Sequence, residues 1–129
     1  MLGLFNFFGR SESLKALDLA FREFDVHPRL VPEAVKLATV RLLQKASAAD
    51  YKLRDADYAK AAELLSLSIL GPDQFVASNT LAGAEDAEQR LEDAIDEGDS
   101  IDAQLILLAV HSKIIHPSLA DRLEAEPDE

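Results

Sequence analysis

The stretch DADYAKAAELLSLSILGP, residues 55–72, decides the fold class. Tyr58, Ala61, Ala62, Leu65 and Ile69 recur at spacings of three and four, the period of one face of an α-helix, whereas a half-buried strand would alternate. Asp55 or Asp57 offers a carboxylate to the orphan N–H groups at the helix start, and Gly71 suits the left-handed conformation that follows a helix. The small Ala positions permit close approach by neighbouring helices. Ser66 and Ser68, inside the same helix, are expected to be buried with their hydroxyls bonded back to helix carbonyls.

The same grammar extends toward the N-terminus. A helix starting near Ser11 or Ser13 places Leu14, Leu17, Phe21 and Phe24 on one face and ends between Asp25 and Val31. Pro32 suits the first turn of a second helix running to about Ala48, with Glu33 at the positive end of its dipole. Val35, Leu37, Ala38, Val40, Leu42, Leu43 and Ala46 cover more than one stripe, so this helix is expected between others, with Arg41 and Lys45 as an exposed pair one turn apart. Tyr51 and Tyr58 flank a polar link and are expected to anchor it to the core.

Toward the C-terminus, Pro72 starts a short turn carrying Phe75 and Val76, and residues 78–83 read as a connection. A fourth long helix is expected over Ala84 to Glu97, thinly apolar and therefore peripheral, with an opposite face of Glu85, Asp86, Glu88, Glu92, Asp93 and Asp96. Asp99 or Ser100 caps a fifth, almost continuously apolar from Leu105 to Val110, which is expected to be central. Pro117 begins a last short helix. The expectation is an all-α fold: a single compact bundle of about five main helices plus one or two short helical turns. Residues 1–10 form an apolar N-terminal segment, 11–123 the bundle and 124–129 an acidic tail with too little apolar surface to fold alone. His27-Pro28-Arg29-Leu30 and His116-Pro117-Ser118-Leu119 share the pattern H-P-x-L, but their surroundings do not align as a repeat.

Composition narrows the chemistry. A chain of 129 residues that is 48% hydrophobic is of single-domain size and needs no staple. With no Cys there is no disulfide, thiolate nucleophile or Cys-based metal site. The three His lack the one-turn spacing of a helical zinc site, since His111 and His116 are five apart across a helix end; the Glu-x-x-His signature of di-iron bundles is missing. No G-x-S-x-G elbow, P-loop or G-x-G-x-x-G occurs. No catalytic, cofactor-binding or metal-ligating residue is therefore assigned.

Charge and apolar surface carry the functional reading. The net charge of −11 is uneven: residues 1–50 hold seven basic and six acidic residues (+1), residues 51–129 six and eighteen (−12). Such a field repels phosphate backbones and anionic lipid, so nucleic acid is excluded as a partner and a basic or neutral protein is favoured. Glu85, Glu88, Glu92 and Asp96 mark a surface for such a partner. The second candidate contact is LGLFNFFGR, residues 2–10, where Leu4, Phe5, Phe7 and Phe8 follow Leu2. It packs on its own core, fills a groove on another copy, or lies on a membrane; a single Arg and the net charge oppose the last. No apolar run reaches the roughly 20 residues of a membrane span, and the N-terminus lacks the basic start and cleavage site of a secretory signal. A cytoplasmic protein is expected.

The chain end, an apolar helix followed by Ile115-His116-Pro117, resembles tellurite-resistance-type helical domains over a short stretch. Those domains carry an acid–glycine pair and metal-binding acids near that turn, and Lys113 to His116 has neither, so no residue role is carried over. The expected function is a non-enzymatic interaction or regulatory module that self-associates; the alternative is an apolar small-ligand binding protein, or an enzyme of unfamiliar type, with a pocket between the helices.

Overall fold

The structure is a computed structural model and describes residues 12–47, 52–97 and 100–124. Within them lie seven α-helices and no strand: α1 (Glu12–Glu23), α2 (Glu33–Ala46), α3 (Asp55–Leu70), α4 (Pro72–Ser78), α5 (Leu81–Glu97), α6 (Ile101–His111) and α7 (Pro117–Glu124), with a 3₁₀ turn at Pro28–Leu30. The all-α bundle is as expected. Residues 1–10, with Leu4, Phe5, Phe7 and Phe8, and also Tyr51 and residues 125–129 of the tail, lie outside the described residues.

Helix α3 is the axis. Tyr58, Ala61, Ala62, Leu64, Leu65, Ser66, Leu67 and Ser68 are all buried along it, and α1, α4, α5 and α6 pack around it. Its Ala61 and Ala62 give neighbours room to approach closely, while Leu64, Leu65 and Leu67 fill the space between them. Ser68 Oγ donates to the Leu64 carbonyl at 2.9 Å, the back-bond expected of it. Ser66 Oγ departs from that expectation: it is buried and makes no hydrogen bond, so it adds the desolvation cost of a hydroxyl without the compensating bond.

Local chemistry sets the helix ends. The Asp57 carboxylate accepts the Arg54 backbone N–H at 2.8 Å at the start of α3. Ser100 Oγ accepts the Ala103 N–H at 3.1 Å at the start of α6. Helices α1 and α6 both end in the same closure, with Val26 N–H on the Phe21 carbonyl and Ile114 N–H on the Ala109 carbonyl, around Asp25 (φ 66°) and Lys113 (φ 60°). This is a Schellman motif with non-glycine residues in the left-handed position. Each is followed by a His-Pro step in which His Nδ1 accepts the N–H two residues on, Arg29 at 3.0 Å and Ser118 at 3.1 Å. The H-P-x-L echo is thus a shared capping device: imidazole does at these turns what Ser or Asp does elsewhere, and Pro, which lacks an N–H, follows it.

Three expectations are corrected. Helix α5 starts at Leu81 rather than Ala84, because Thr80 Oγ1 accepts the Gly83 N–H at 3.0 Å and caps it. Helix α2 begins at Glu33, with Pro32 just ahead of it, and ends at Ala46. Helix α2 is not covered on most sides, whereas α6 packs on α2, α3 and α5 and leaves one stripe of Gln104, Leu107 and His111 exposed. Val35, Lys36, Thr39 and Val40 of α2 and Ala103, Leu105, Ile106 and Ala109 of α6 are buried, while Leu37 is 42% and Leu107 49% exposed. The surplus apolar positions of these two helices face outward, toward one another's flank.

Candidate functional site

Two helical stripes build the candidate site. On α2, Ala34, Leu37, Ala38, Arg41, Leu42 and Lys45 repeat at three and four; on α6, Gln104, Leu107, Leu108 and His111 do the same. These stripes border the buried faces of their helices, so packing α2 against α6 leaves both at the surface as the two walls of a groove. Near the end of α2, Leu43 shares a depression with Ile101, Asp102 and Leu105 at the start of α6, so the two helices run in opposite directions. The groove encloses about 590 Å³ and is open to solvent along its length.

Its floor and walls are aliphatic, and its rim is cationic. Arg41 and Lys45 are exposed one turn apart on the α2 side, and His111 is exposed at the last turn of α6. Among the described residues no carboxylate lines the groove, which sets it apart from a chain of net charge −11. Such a surface offers apolar burial with a weak preference for negative charge at its edge.

The expected acidic residues lie elsewhere. Glu85, Glu92 and Asp96 are exposed and Glu88 is half-buried on the outer side of α5, whose inner stripe of Ala84, Ala87, Leu91 and Ala94 is buried. They share a face, as their spacing implies, and stand apart from the α2–α6 groove. Asp102, by contrast, is drawn inward. Arg90 donates from Nε and Nη2 to its two carboxylate oxygens at 3.1 and 2.8 Å, and from Nη1 to Glu63 Oε1 at 2.9 Å, tying α5 to α6 and α3. Burial disfavours the charged guanidinium, but the Asp102 and Glu63 carboxylates outweigh it and hold the Arg90 pKa above its ordinary value. A second ion pair, Lys36 Nζ to Asp18 Oδ1 at 3.1 Å, joins α2 to α1.

The remaining candidates separate cleanly. His27 and His116 act as caps, and no group of three or more His, Asp or Glu converges on a metal-sized site among the described residues. Two further depressions are open as well: one of about 530 Å³ beside Phe24, Phe75 and Thr80, one of about 250 Å³ beside Lys60 and Arg90. Among the described residues no helix is long and apolar enough to cross a membrane. The groove itself was missed in the sequence, where the surplus of apolar positions on α2 and α6 reads as central burial; that surplus was the available signal, and the pairing of the two helices was not visible. In comparisons with known proteins no family model matches the chain, and neither does a curated protein or a solved structure.

Proposed function

We propose that this protein is a non-enzymatic interaction module that self-associates, and that the groove between α2 and α6 is its docking face. The observation that carries the reading is the pairing of two half-exposed leucines, Leu37 at 42% and Leu107 at 49%, on the walls of one aliphatic groove. Contiguous apolar surface of this kind is what protein contacts cover. The outer face of α5, with Glu85, Glu88, Glu92 and Asp96, is a second surface, suited to steering a basic partner at low salt.

Light scattering after size exclusion, on the full chain and on Leu37→Glu and Leu107→Glu, tests the reading. The full chain is expected above the 14.1 kDa of one copy, and each variant at that mass with unchanged helical circular dichroism. A full chain that stays at single-copy mass at every concentration removes self-association. If that monomer also takes up a fluorescent apolar probe and Leu107→Glu abolishes the uptake, the groove is instead the site of a small apolar ligand, for which its volume is sufficient.

A further inference from the structure

Resting on the interaction-module reading, we infer that the partner of the α2–α6 face is the same face of a second copy, turned about a two-fold axis so that the two α2 helices lie antiparallel with Leu37 on Leu37. The order of side chains along α2 selects it. Glu33, Leu37 and Arg41 fall at i, i+4 and i+8, one stripe of a helix about 12 Å long at the helical rise. All three reach solvent: the Glu33 side chain is 51% and Leu37 42% exposed, and Arg41 is exposed one turn further on. An acid, a leucine and a base at equal spacing are complementary to their own reverse. An antiparallel copy therefore brings Glu33 to Arg41 at both ends and leucine to leucine at the centre, the self-complementary pattern of an isologous contact.

The other wall of the groove agrees with that axis. Leu43 of α2 shares a depression with Ile101 of α6. Six residues back along α2 is Leu37, and six residues on along α6 is Leu107, each about 9 Å away. The two exposed leucines therefore stand level, and one axis passes beside both. Leu107 meets Leu107, and Gln104 of each copy lies across from His111 of the other, all of them exposed. Turning the second copy the other way, with α2 over α6, gives Arg41 nothing anionic to meet, because the α6 wall of Gln104, Leu107, Leu108 and His111 carries no acid.

Charge favours a copy of this chain over an unrelated helix. An acidic helix laid on α2 would oppose Glu33 and a basic one would oppose Arg41. A fitting partner carries both signs in reverse order, which an antiparallel α2 does. Glu33 is also held in place, its carboxylate 3.6 Å from Lys36 Nζ, which in turn rests on Asp18. A rival surface on the second copy is the exposed stripe Lys15, Leu19 and Glu23 of α1, which has the same spacing and the opposite order. It would meet α2 in parallel, a heterologous contact that builds rings or filaments, whereas the two-fold pairing of α2 with α2 stops at two.

Mixing charge-reversed full chains tests the pairing by light scattering. Glu33→Arg and Arg41→Glu each place like charges at both ends of the contact. Each is expected at the 14.1 kDa of one copy, with helical circular dichroism retained, at a concentration where the wild type weighs twice that. An equal mixture of the two should restore the doubled mass as a pair with one chain of each kind, and so should the double variant Glu33→Arg/Arg41→Glu alone. By replacing an acid with a base, Glu33→Arg lowers the net charge from −11 to −9; tighter association of this variant would mean that overall repulsion governs and would overturn the pairing. Arg41→Glu keeping the doubled mass overturns it by itself, whatever the folding of Glu33→Arg, and leaves the docking face standing if Leu37→Glu still separates the copies. Single variants that separate and are not rescued by mixing overturn it in favour of another surface on the second copy, the α1 stripe first. Single-copy mass for the wild type overturns both the pairing and the self-associating reading.

Discussion

At Gly71 the backbone takes φ 84° and ψ 160° between α3 and α4, a region that essentially only glycine occupies. Space is closed to it as well: a Cβ there would lie 2.8 Å from His116 Cγ and 2.9 Å from Nδ1. His116 cannot easily retreat, since its N–H donates to the Ser68 carbonyl at 2.6 Å and its Nδ1 caps α7. Gly71→Ala is therefore expected to destabilise by about 2–4 kcal/mol, part from the backbone and part from the ring. The two parts separate in a double-mutant cycle by urea unfolding. In a His116→Ala background the same change should cost about 1–2 kcal/mol, the backbone share alone. Equal costs in both backgrounds would mean the ring moves aside freely and the packing of α7 on α3 is loose.

Between elements, the strongest polar tie is Arg90, whose fork engages Asp102 and whose remaining nitrogen reaches Glu63. All three side chains are roughly three-quarters buried, so removing the cation leaves two facing carboxylates with little water. Arg90→Met is expected to lose about 2 kcal/mol in denaturant unfolding, and adding Glu63→Gln and Asp102→Asn should recover part of it. Because the folded Arg90 pKa lies above its ordinary value, its contribution is fully present below the unfolded pKa and fades only as pH climbs through the folded one, far into alkali. Compared with the triple variant, in which neither carboxylate is left to titrate, a wild-type profile that differs across the neutral range would contradict that placement. Helix existence and most ends were legible because they rest on neighbours in sequence: Gly71, Pro72, Ser100 and Pro117 each act within one turn. Thr80 was overlooked because the Gly83 it caps resembles a connection. The roles of α2 and α6 were not legible, since an apolar surplus fits a buried helix and a grooved one equally, and only the packing partner decides. Arg90 offered a hint as the one base from Glu85 to Asp102, but its partner Glu63 lies 27 positions away.

For the whole molecule, the charge split of +1 and −12 between the two parts of the sequence sets attraction against repulsion. Among the described residues the attractive pairs of Arg90 with Glu63 and Asp102 and of Lys36 with Asp18 are partly buried, and salt screens these little. The repulsion is exposed: Glu85, Glu92, Asp93 and Asp96 lie on the outer side of α5, and salt screens it well as the Debye length falls from about 30 Å at 0.01 M to about 8 Å at 0.15 M. Stability is therefore expected to rise with salt over that range, by about 1 kcal/mol as read by thermal unfolding at fixed protein concentration. Glu85→Gln/Asp96→Asn should flatten the dependence, because it removes two of the charges that repel. Association through the groove should strengthen over the same range, since two chains of −11 must approach. A melting temperature that falls with salt would reverse the balance, making surface pairs rather than the apolar core and the buried Arg90 cluster the main electrostatic support of the bundle.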